Sequence, residues 1–332
     1  MSTPWGRTMT WEDWLIVAEK VAAPYYGTAY PNPVVGAVIL DTEGRRIGAG
    51  YTRVGAHAEV MAIKSVEDKN KLKGATLVCT LEPCNHTGKT PPCTEAIIKA
   101  GIKRVVYAQT DPNPLAKGGS QTLSHAGVRV DFVPMQVTNL QPWLQWVRTG
   151  QPFIRAKIAQ TMDGYVAAAD GTSQWITSEE SRNFAHEVRS RTAAIVIGSG
   201  TLEKDQPSLT ARKANGALYA RQPERIVMSS RDIEVPEGFH LCHDFSELFT
   251  YCKENGLFDI LFEGGPGLIT SALKEGIIDE LHLYEAPLML GKGQHSIGDL
   301  GIDTLDHALH WQVMERRPLG ADQFTRMKLI QD

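Results

Sequence analysis

Apolar positions along the chain follow two periods, one helical and one extended. Trp11, Trp14, Leu15 and Ala18 recur at helical spacing, and Thr10 with Asp13 forms a capping pair. A helix from Trp11 is therefore predicted, ended by Pro24 and Gly27. PVVGAVIL (33–40) reads as a buried strand, DTEG (41–44) as a turn and RRIGAGY (45–51) as the returning strand. HAEVMAIKSVED (57–68) is predicted helical, ATLVCTLE (75–82) a strand and CTEAIIKAG (93–101) a short helix. Pro91 and Pro92 stand at the start of that helix and Gly101 at its end, the asymmetry that helix ends favour. RVVYAQ (104–109) and VRVDFV (128–133) are further strands, and the alternation predicts an α/β layered sheet.

Near residue 149 the pattern restarts. TGQP (149–152) is a turn, followed by a strand over FIRAKIAQT (153–161). A helix follows Ser178, and strands are predicted at AAIVIGSG (193–200), ERIVMSS (224–230), DILFEGG (259–265) and ELHLYEAPLML (280–290). The last two flank a helix, LITSALKEG (268–276), and WQVMERRPLG with QFTRMKLI suggests a terminal hairpin. Two α/β domains are predicted, 1–148 and 149–332, which suits a chain of 332 residues. The Trp-bearing stretch LQPWLQWVRTG (140–150) reads as an exposed interface or as the seam between domains.

Composition narrows the class. Hydrophobic content of 42% and charged content of 22% are those of a soluble globular protein. A net charge of -4 argues against a general nucleic-acid binder. No run reaches membrane-spanning length, and the first residues lack a signal-peptide pattern. Five cysteines argue against a disulfide scaffold, so a cytoplasmic location is expected.

Two of those cysteines carry the chemistry. Cys84 and Cys93 lie on the proline- and glycine-rich segment LEPCNHTGKTPPC (81–93), and His57 opens a predicted helix two residues before Glu59. One nitrogen and two sulfurs suit zinc and leave its fourth position for water. Glu59 is placed to take a proton from that water and pass it to a leaving amine, the logic of zinc deaminases. Helix starts beside Cys84 and Cys93 favour thiolates. The competing reading is a structural zinc closed by His86. Cys79, Cys242 and Cys252 lie in strand or helix patterns and read as packing.

HAEV, EPCNHTGKTPPC, YPNPVVGAV (30–38) and DPNP (111–114) together resemble the deaminase half of bacterial bifunctional riboflavin-biosynthesis proteins. The resemblance implies a cytidine-deaminase-like zinc domain acting on a diaminopyrimidinone that carries a ribosylamino 5′-phosphate. It places Asn32, His86 and Lys89 at the substrate; Lys89 reads equally as a solvated loop lysine. Asp111 and Asn113 either orient ribose or cap their own turn.

The second half lacks a GxGxxG opening a helix after a strand. GSGT (198–201) and EGGPGL (263–268) are glycine-bearing turns, either tight turns alone or phosphate cradles. KIAQTMDG, GTSQWITSEESR, RSRTAAIVIGSGTLEKDQPSLTAR and LFEGGPGLITSAL resemble, in that order, the reductase half of the same family. That implies a dihydrofolate-reductase-like domain using NADPH. By motif, Gln160, Trp175, Thr201, Asp205, Ser230, Gly265, Pro266, Gly267, Leu268, Ile269, Thr270 and Ser271 are expected at the cofactor. Ser173, Arg189, Leu209, Arg212 and Glu263 are expected at the substrate, with Arg189 and Arg212 suited to a phosphate. The proton for the amine would come from Lys157, Asp205 or water. Met61, Tyr165, Gln160, Gln206 and Ser229 depart from the usual family residues, and none is a zinc ligand.

Two competing readings remain on the sequence. One is a deaminase of another nucleobase joined to a pterin reductase; the long Cys–Cys loop and the phosphate-suited arginines argue against it. The other is a non-catalytic zinc module beside a reductase, which predicts loss of the acid at position 59, where Glu59 stands. The expected partner is a small phosphorylated pyrimidine rather than nucleic acid or a membrane, and the resemblance points to a homo-oligomer.

Overall fold

Helix α1 (Trp11–Ala22) starts at a reciprocal cap: the Asp13 N–H donates to Thr10 Oγ1, and the Thr10 N–H donates to the Asp13 carboxylate at 2.9 Å. The computed structural model describes residues 8–86, 91–114, 116 and 118–330. The chain divides into two compact units, residues 1–150 and 151–332.

The first unit continues with β1 (Gly36–Leu40), β2 (Arg46–Tyr51), α2 (Ala58–Ser65), β3 (Thr76–Leu81), α3 (Cys93–Ala100), β4 (Arg104–Gln109), α4 (Gly119–His125), β5 (Arg129–Phe132) and α5 (Gln141–Thr149). Its sheet has the order β2-β1-β3-β4-β5, with β3, β4 and β5 parallel and the β1 pairings antiparallel. Helix α2 ends three residues earlier than the pattern predicts. Its last carbonyls are taken by the Lys69 ammonium, which donates to Ile63, Lys64 and Val66, while Asp68 caps a separate 3-10 turn. Two glycines set the spacing around the cysteines. A Cβ at Gly50 would run into the α2 backbone at Ala58 and Ala62, and one at Gly119 would run into the Pro83 carbonyl. The stretch 140–150 is not an exposed interface patch. Pro142 sits in the first turn of α5, Gly150 caps its end at φ 71°, and Pro142, Trp143 and Leu144 are buried.

The second unit comprises β6 (Phe153–Thr161), β7 (Tyr165–Ala168), α6 (Glu179–Arg191), β8 (Ala194–Gly198), α7 (Ser199–Asp205), β9 (Glu224–Met228), β10 (Phe239–Cys242), α8 (Phe245–Asn255), β11 (Asp259–Phe262), α9 (Pro266–Lys274), β12 (Glu280–Ala286), β13 (Gly293–His295), β14 (Trp311–Leu319) and β15 (Asp322–Leu329). Eight strands form one sheet in the order β10-β9-β8-β11-β6-β12-β15-β14, and β7 pairs with β13 separately. The strands from β10 to β12 run parallel, and the terminal β14–β15 hairpin closes the sheet antiparallel. The fully buried centre of the sheet, Ile154, Ile195, Val196, Ile260 and Phe262, reads as near-continuous apolar strands, as a doubly covered parallel sheet requires. The outer strand β14 carries Pro318 and a register shift between Val313 and Glu315, and the opposite edge strand β10 has four residues.

Candidate active sites

In the first unit, β3 ends at Leu81 and the chain turns through Glu82-Pro83-Cys84, while His57 caps α2 and Cys93 opens α3. Two helix N-termini and one strand end therefore converge. His57 Nδ1 stands 3.1 Å from Cys93 Sγ and 3.4 Å from Cys84 Sγ, and the Cys93 N–H donates to Cys84 Sγ at 3.4 Å. Donors held at about 2.0–2.3 Å by one tetrahedral ion stand about 3.3–3.8 Å apart, so the three residues fit zinc. Among the described residues their ligand atoms form the one such group, and His86 is not in it. The hydrogen bond from Cys93 lowers the Cys84 pKa well below that of an ordinary thiol, despite burial, and His57 adds to the effect.

Glu59 is the second residue of α2, 4% exposed, and burial pushes its carboxyl up to about 7. It lines a cavity of about 430 Å3 together with Asn32, His57, Cys84, His86, Asp111 and Asn113. The expected residues Asn32 and His86 are thus gathered with the zinc ligands; Lys89 lies outside the described residues. Asp111 caps its own turn, Oδ1 accepting the Asn113 N–H at 2.9 Å, and it also lines the cavity. Burial raises its pKa to about 6. Glu82 holds this wall in place, accepting the Ser120 hydroxyl at 2.7 Å and the Ser120 N–H at 3.0 Å. Trp143, from α5, completes the lining and was not anticipated as a site residue. Met61 accepts a hydrogen bond from Arg53 at 3.4 Å rather than joining the ligand group.

In the second unit the two glycine turns lie against each other: the Gly265 N–H donates to Thr201 Oγ1 at 2.9 Å. That donor is therefore engaged inside the protein rather than presented to a phosphate. A cavity of about 660 Å3 is lined by Ser173, Trp175, Arg189, Thr201, Asp205, Leu209, Arg212, Glu263, Gly265, Pro266 and Ile269, all expected, and by Lys157. Gly267 and Leu268 line a neighbouring cavity of about 350 Å3 that shares Thr201, Asp205 and Gly265 with it. Gln160, Ser230, Thr270 and Ser271 line neither. Gln160 pairs with Glu285 on β12, Ser230 lies exposed after β9, Thr270 Oγ1 accepts the Gly298 N–H at 2.8 Å, and Ser271 points outward from α9.

Arg189 is placed differently from a free phosphate clamp. Its Nε and Nη2 each donate to the Glu263 carboxylate at 2.7 Å, and Lys157 Nζ stands 3.8 Å from the same group. Burial alone would raise the Glu263 pKa, but Arg189, then Lys157 and His186, hold it at about 2. Burial lowers the Lys157 pKa, Glu263 opposes that, and Arg189 reinforces it. Arg212 is exposed; its guanidinium donates to the Thr210 and Ser208 hydroxyls at 2.9 and 2.8 Å, and its backbone N–H to His186 Nδ1 at 3.3 Å. Leu209 is both wall and core: it is 3% exposed, packs with Ile195 and Val227, and holds φ at 50°. Arg182, over the Trp175 ring at 4.5 Å, and His186 were not anticipated. Their spacing with Arg189, at i, i+4 and i+7 along α6, was the available signal.

Gln206 caps the end of α7 at φ 41°, Ser229 Oγ donates to the Arg231 carbonyl at 2.8 Å, and the Tyr165 ring lies tilted against His295 with centroids 4.5 Å apart. None of these three lines either cavity.

Comparison with known proteins matches residues 9–109 to the cytidine and deoxycytidylate deaminase zinc-binding region, and residues 152–324 to the RibD C-terminal domain. The riboflavin biosynthesis protein RibD of Corynebacterium ammoniagenes is 45% identical over 281 residues, covering 80% of this chain and 83% of that one. RibD of Mycobacterium tuberculosis is 43% identical over 310 residues, covering 89% and 91%. Among solved structures, Acinetobacter baumannii RibD superposes with a TM-score of 0.82 at 30% identity, covering 97% of this chain and 99% of that one. A diaminohydroxyphosphoribosylaminopyrimidine deaminase/5-amino-6-(5-phosphoribosylamino)uracil reductase from Thermotoga maritima does so with a TM-score of 0.84 at 29% identity, covering 96% and 99%. With a deaminase zinc site in one unit and a reductase domain in the other, the chain belongs to the RibD family of bifunctional deaminase/reductases of riboflavin biosynthesis.

Proposed function

We infer that the first unit hydrolytically deaminates diaminohydroxyphosphoribosylaminopyrimidine and that the second reduces the resulting 5-amino-6-(5-phosphoribosylamino)uracil to its ribitylamino form. The observation that carries this reading is the buried Glu59, two residues after His57 and sharing one cavity with His57 and Cys84 of the His57–Cys84–Cys93 group, on a chain that also has the reductase domain. His57, Cys84 and Cys93 would hold zinc, which as a Lewis acid makes water acidic near neutral pH. Glu59, with its carboxyl near 7, is matched to accept that proton and return it to the departing ammonia. Asn32, His86, Asp111 and Asn113 surround the substrate, and Lys89 is proposed at its phosphate.

In the second unit, Trp175, Thr201, Asp205 and the turn from Gly265 to Ile269 would hold NADPH, which supplies hydride when bound. Gln160, Ser230, Thr270 and Ser271 stay proposed as outer cofactor contacts on the motif likeness alone. Ser173, Leu209, Arg212 and the Arg189–Glu263 pair are assigned to the substrate. Of the possible proton donors, Lys157 is favoured by its place in the cavity wall 3.8 Å from Glu263 and by its lowered pKa. Asp205 is the exposed alternative on the same wall. The reading places the enzyme in the cytoplasm as a homo-oligomer, supported by the family likeness; no helix among the described residues is long and apolar enough to cross a membrane.

The test follows ammonia release and NADPH oxidation together, for wild type and Glu59→Ala. Both signals are expected from wild type. Glu59→Ala should give neither from the diaminopyrimidine, yet should oxidise NADPH when supplied with the deaminated uracil. NADPH consumption from the diaminopyrimidine without ammonia would refute the proposed order.

A further inference from the structure

The deaminase cavity is walled mainly by small, polar and charged side chains, with one large flat surface among them. That surface is Trp143, 8% exposed, held between Pro142 and Leu144 at the start of α5 and facing the space that Glu59 and Cys84 also line. Apart from the imidazoles of His57 and His86, no other aromatic ring among the described residues lines that cavity. The sites for metal and proton transfer are furnished by α2, α3 and the end of β3. Trp143 comes instead from the last helix of the unit, more than 30 residues beyond Asp111 in the chain. Such a residue has no role in the chemistry of zinc or Glu59, but it sets the shape of what can lie beside them.

A planar heteroaromatic ring gains most from a rigid indole, which has only two side-chain torsions to freeze and a large polarisable face. The indole also carries an N–H donor, which makes no hydrogen bond to any of the described residues. Resting on the deaminase reading above, we propose that Trp143 is the specificity-determining wall of the deaminase site. Its ring packs on the pyrimidine, and its N–H is free to donate to an oxygen of the substrate. The tether is firm: α5 has Pro142 in its first turn and ends at Gly150, where the N–H donates to the Trp146 carbonyl. Trp143 therefore enters the cavity from an ordered helix rather than from a loop that must close.

Kinetics of ammonia release should separate this from a structural role. Trp143→Leu is expected to raise KM about tenfold, the loss typical of removing one aromatic platform from a stacked base, while kcat and zinc content stay at wild-type levels. Trp143→Phe keeps a ring and loses the donor, and should fall between. Oxidation of NADPH with the deaminated uracil should be unchanged in both. A KM for Trp143→Leu within about twofold of wild type, with zinc retained, would overturn the proposal. Should Trp143→Leu lose zinc or fail to fold, tryptophan fluorescence decides. The diaminopyrimidine should change the emission of Glu59→Ala, which binds without turnover, and not that of Glu59→Ala/Trp143→Phe; the same change in both would overturn it. Ammonia release by wild type in the same assay checks the deaminase reading separately.

Discussion

Removing the Arg189 guanidinium should cost more than a surface charge would. The Glu263 side chain is 3% exposed and receives two 2.7 Å hydrogen bonds from Arg189; among the described residues the only other Lys or Arg within 4 Å is Lys157, at 3.8 Å. A carboxyl held at about 2 instead of 4.5 corresponds to about 3 kcal/mol of folded-state preference for its ionised form. Because the folded pKa is the lower one, this contribution is present in full above pH 4.5 and fades as pH falls toward 2. In Arg189→Met the burial of Glu263 goes largely uncompensated, so its pKa should move above the ordinary carboxylate value. We expect a loss of about 3 kcal/mol at pH 7, within the range for breaking a buried pair, narrowing as acid protonates Glu263. Hydrogen exchange of full-length protein in increasing urea, read on peptides covering β6 and β11, reports the second unit directly. Adding Glu263→Gln removes the stranded charge, so the double variant should be more stable than Arg189→Met by about 1 kcal/mol or more. A loss below about 1 kcal/mol in Arg189→Met, or a double variant no better than the single, would show that the pair is not a coupled buried unit.

Purified protein should contain zinc, with Cys84→Ser losing it and Cys79→Ser keeping it, as metal analysis would show; zinc retained by Cys84→Ser would refute the ligand assignment. Gly119→Ala should lower the thermal midpoint of the first unit and reduce ammonia release, because the new methyl meets the Pro83 carbonyl beside Cys84; an unaltered midpoint by calorimetry would contradict the packing. Ser178 caps α6 through the Ser181 N–H, and its own N–H and hydroxyl donate to Asp322 at 2.7 and 2.8 Å. Ser178→Ala should therefore cost about 1 kcal/mol and raise the reductase KM, since α6 carries Arg189; equal urea midpoints for the two proteins would count against it.

Where the pattern was strong and local, the sequence was a good guide. The limits of β4 and β6 coincide with the predicted runs, because turn residues bound each and its apolar positions are continuous. Ser178 was read correctly as the residue before α6. Helices α4, α5 and α8 went unassigned, although Asp244 and Gly256 cap α8 and Pro142 and Gly150 bracket α5. In these segments the aromatic or polar residues outweighed the capping signals. For the zinc site, three residue types at characteristic spacing sufficed, since each is anchored by the start of a helix or the end of a strand. The Arg189–Glu263 pair, the Thr201–Gly265 bond and the strand order join residues far apart in the chain, and no periodicity carries that information. Trp143, in a stretch read as exposed or as a seam, is 8% exposed, and local periodicity does not carry what packs over it.

The outermost strand of the eight-stranded sheet has a consequence for solubility. Its outward edge would be a template for a further strand, from another molecule or from an unfolding neighbour. Pro318 removes one donor from that edge, the register shift at Glu315 bends it, and Arg316 and Arg317 load it with charge. At the opposite side β10 is only four residues long. The sheet thus ends on both flanks in a form that resists lateral growth, which guards against strand-by-strand aggregation.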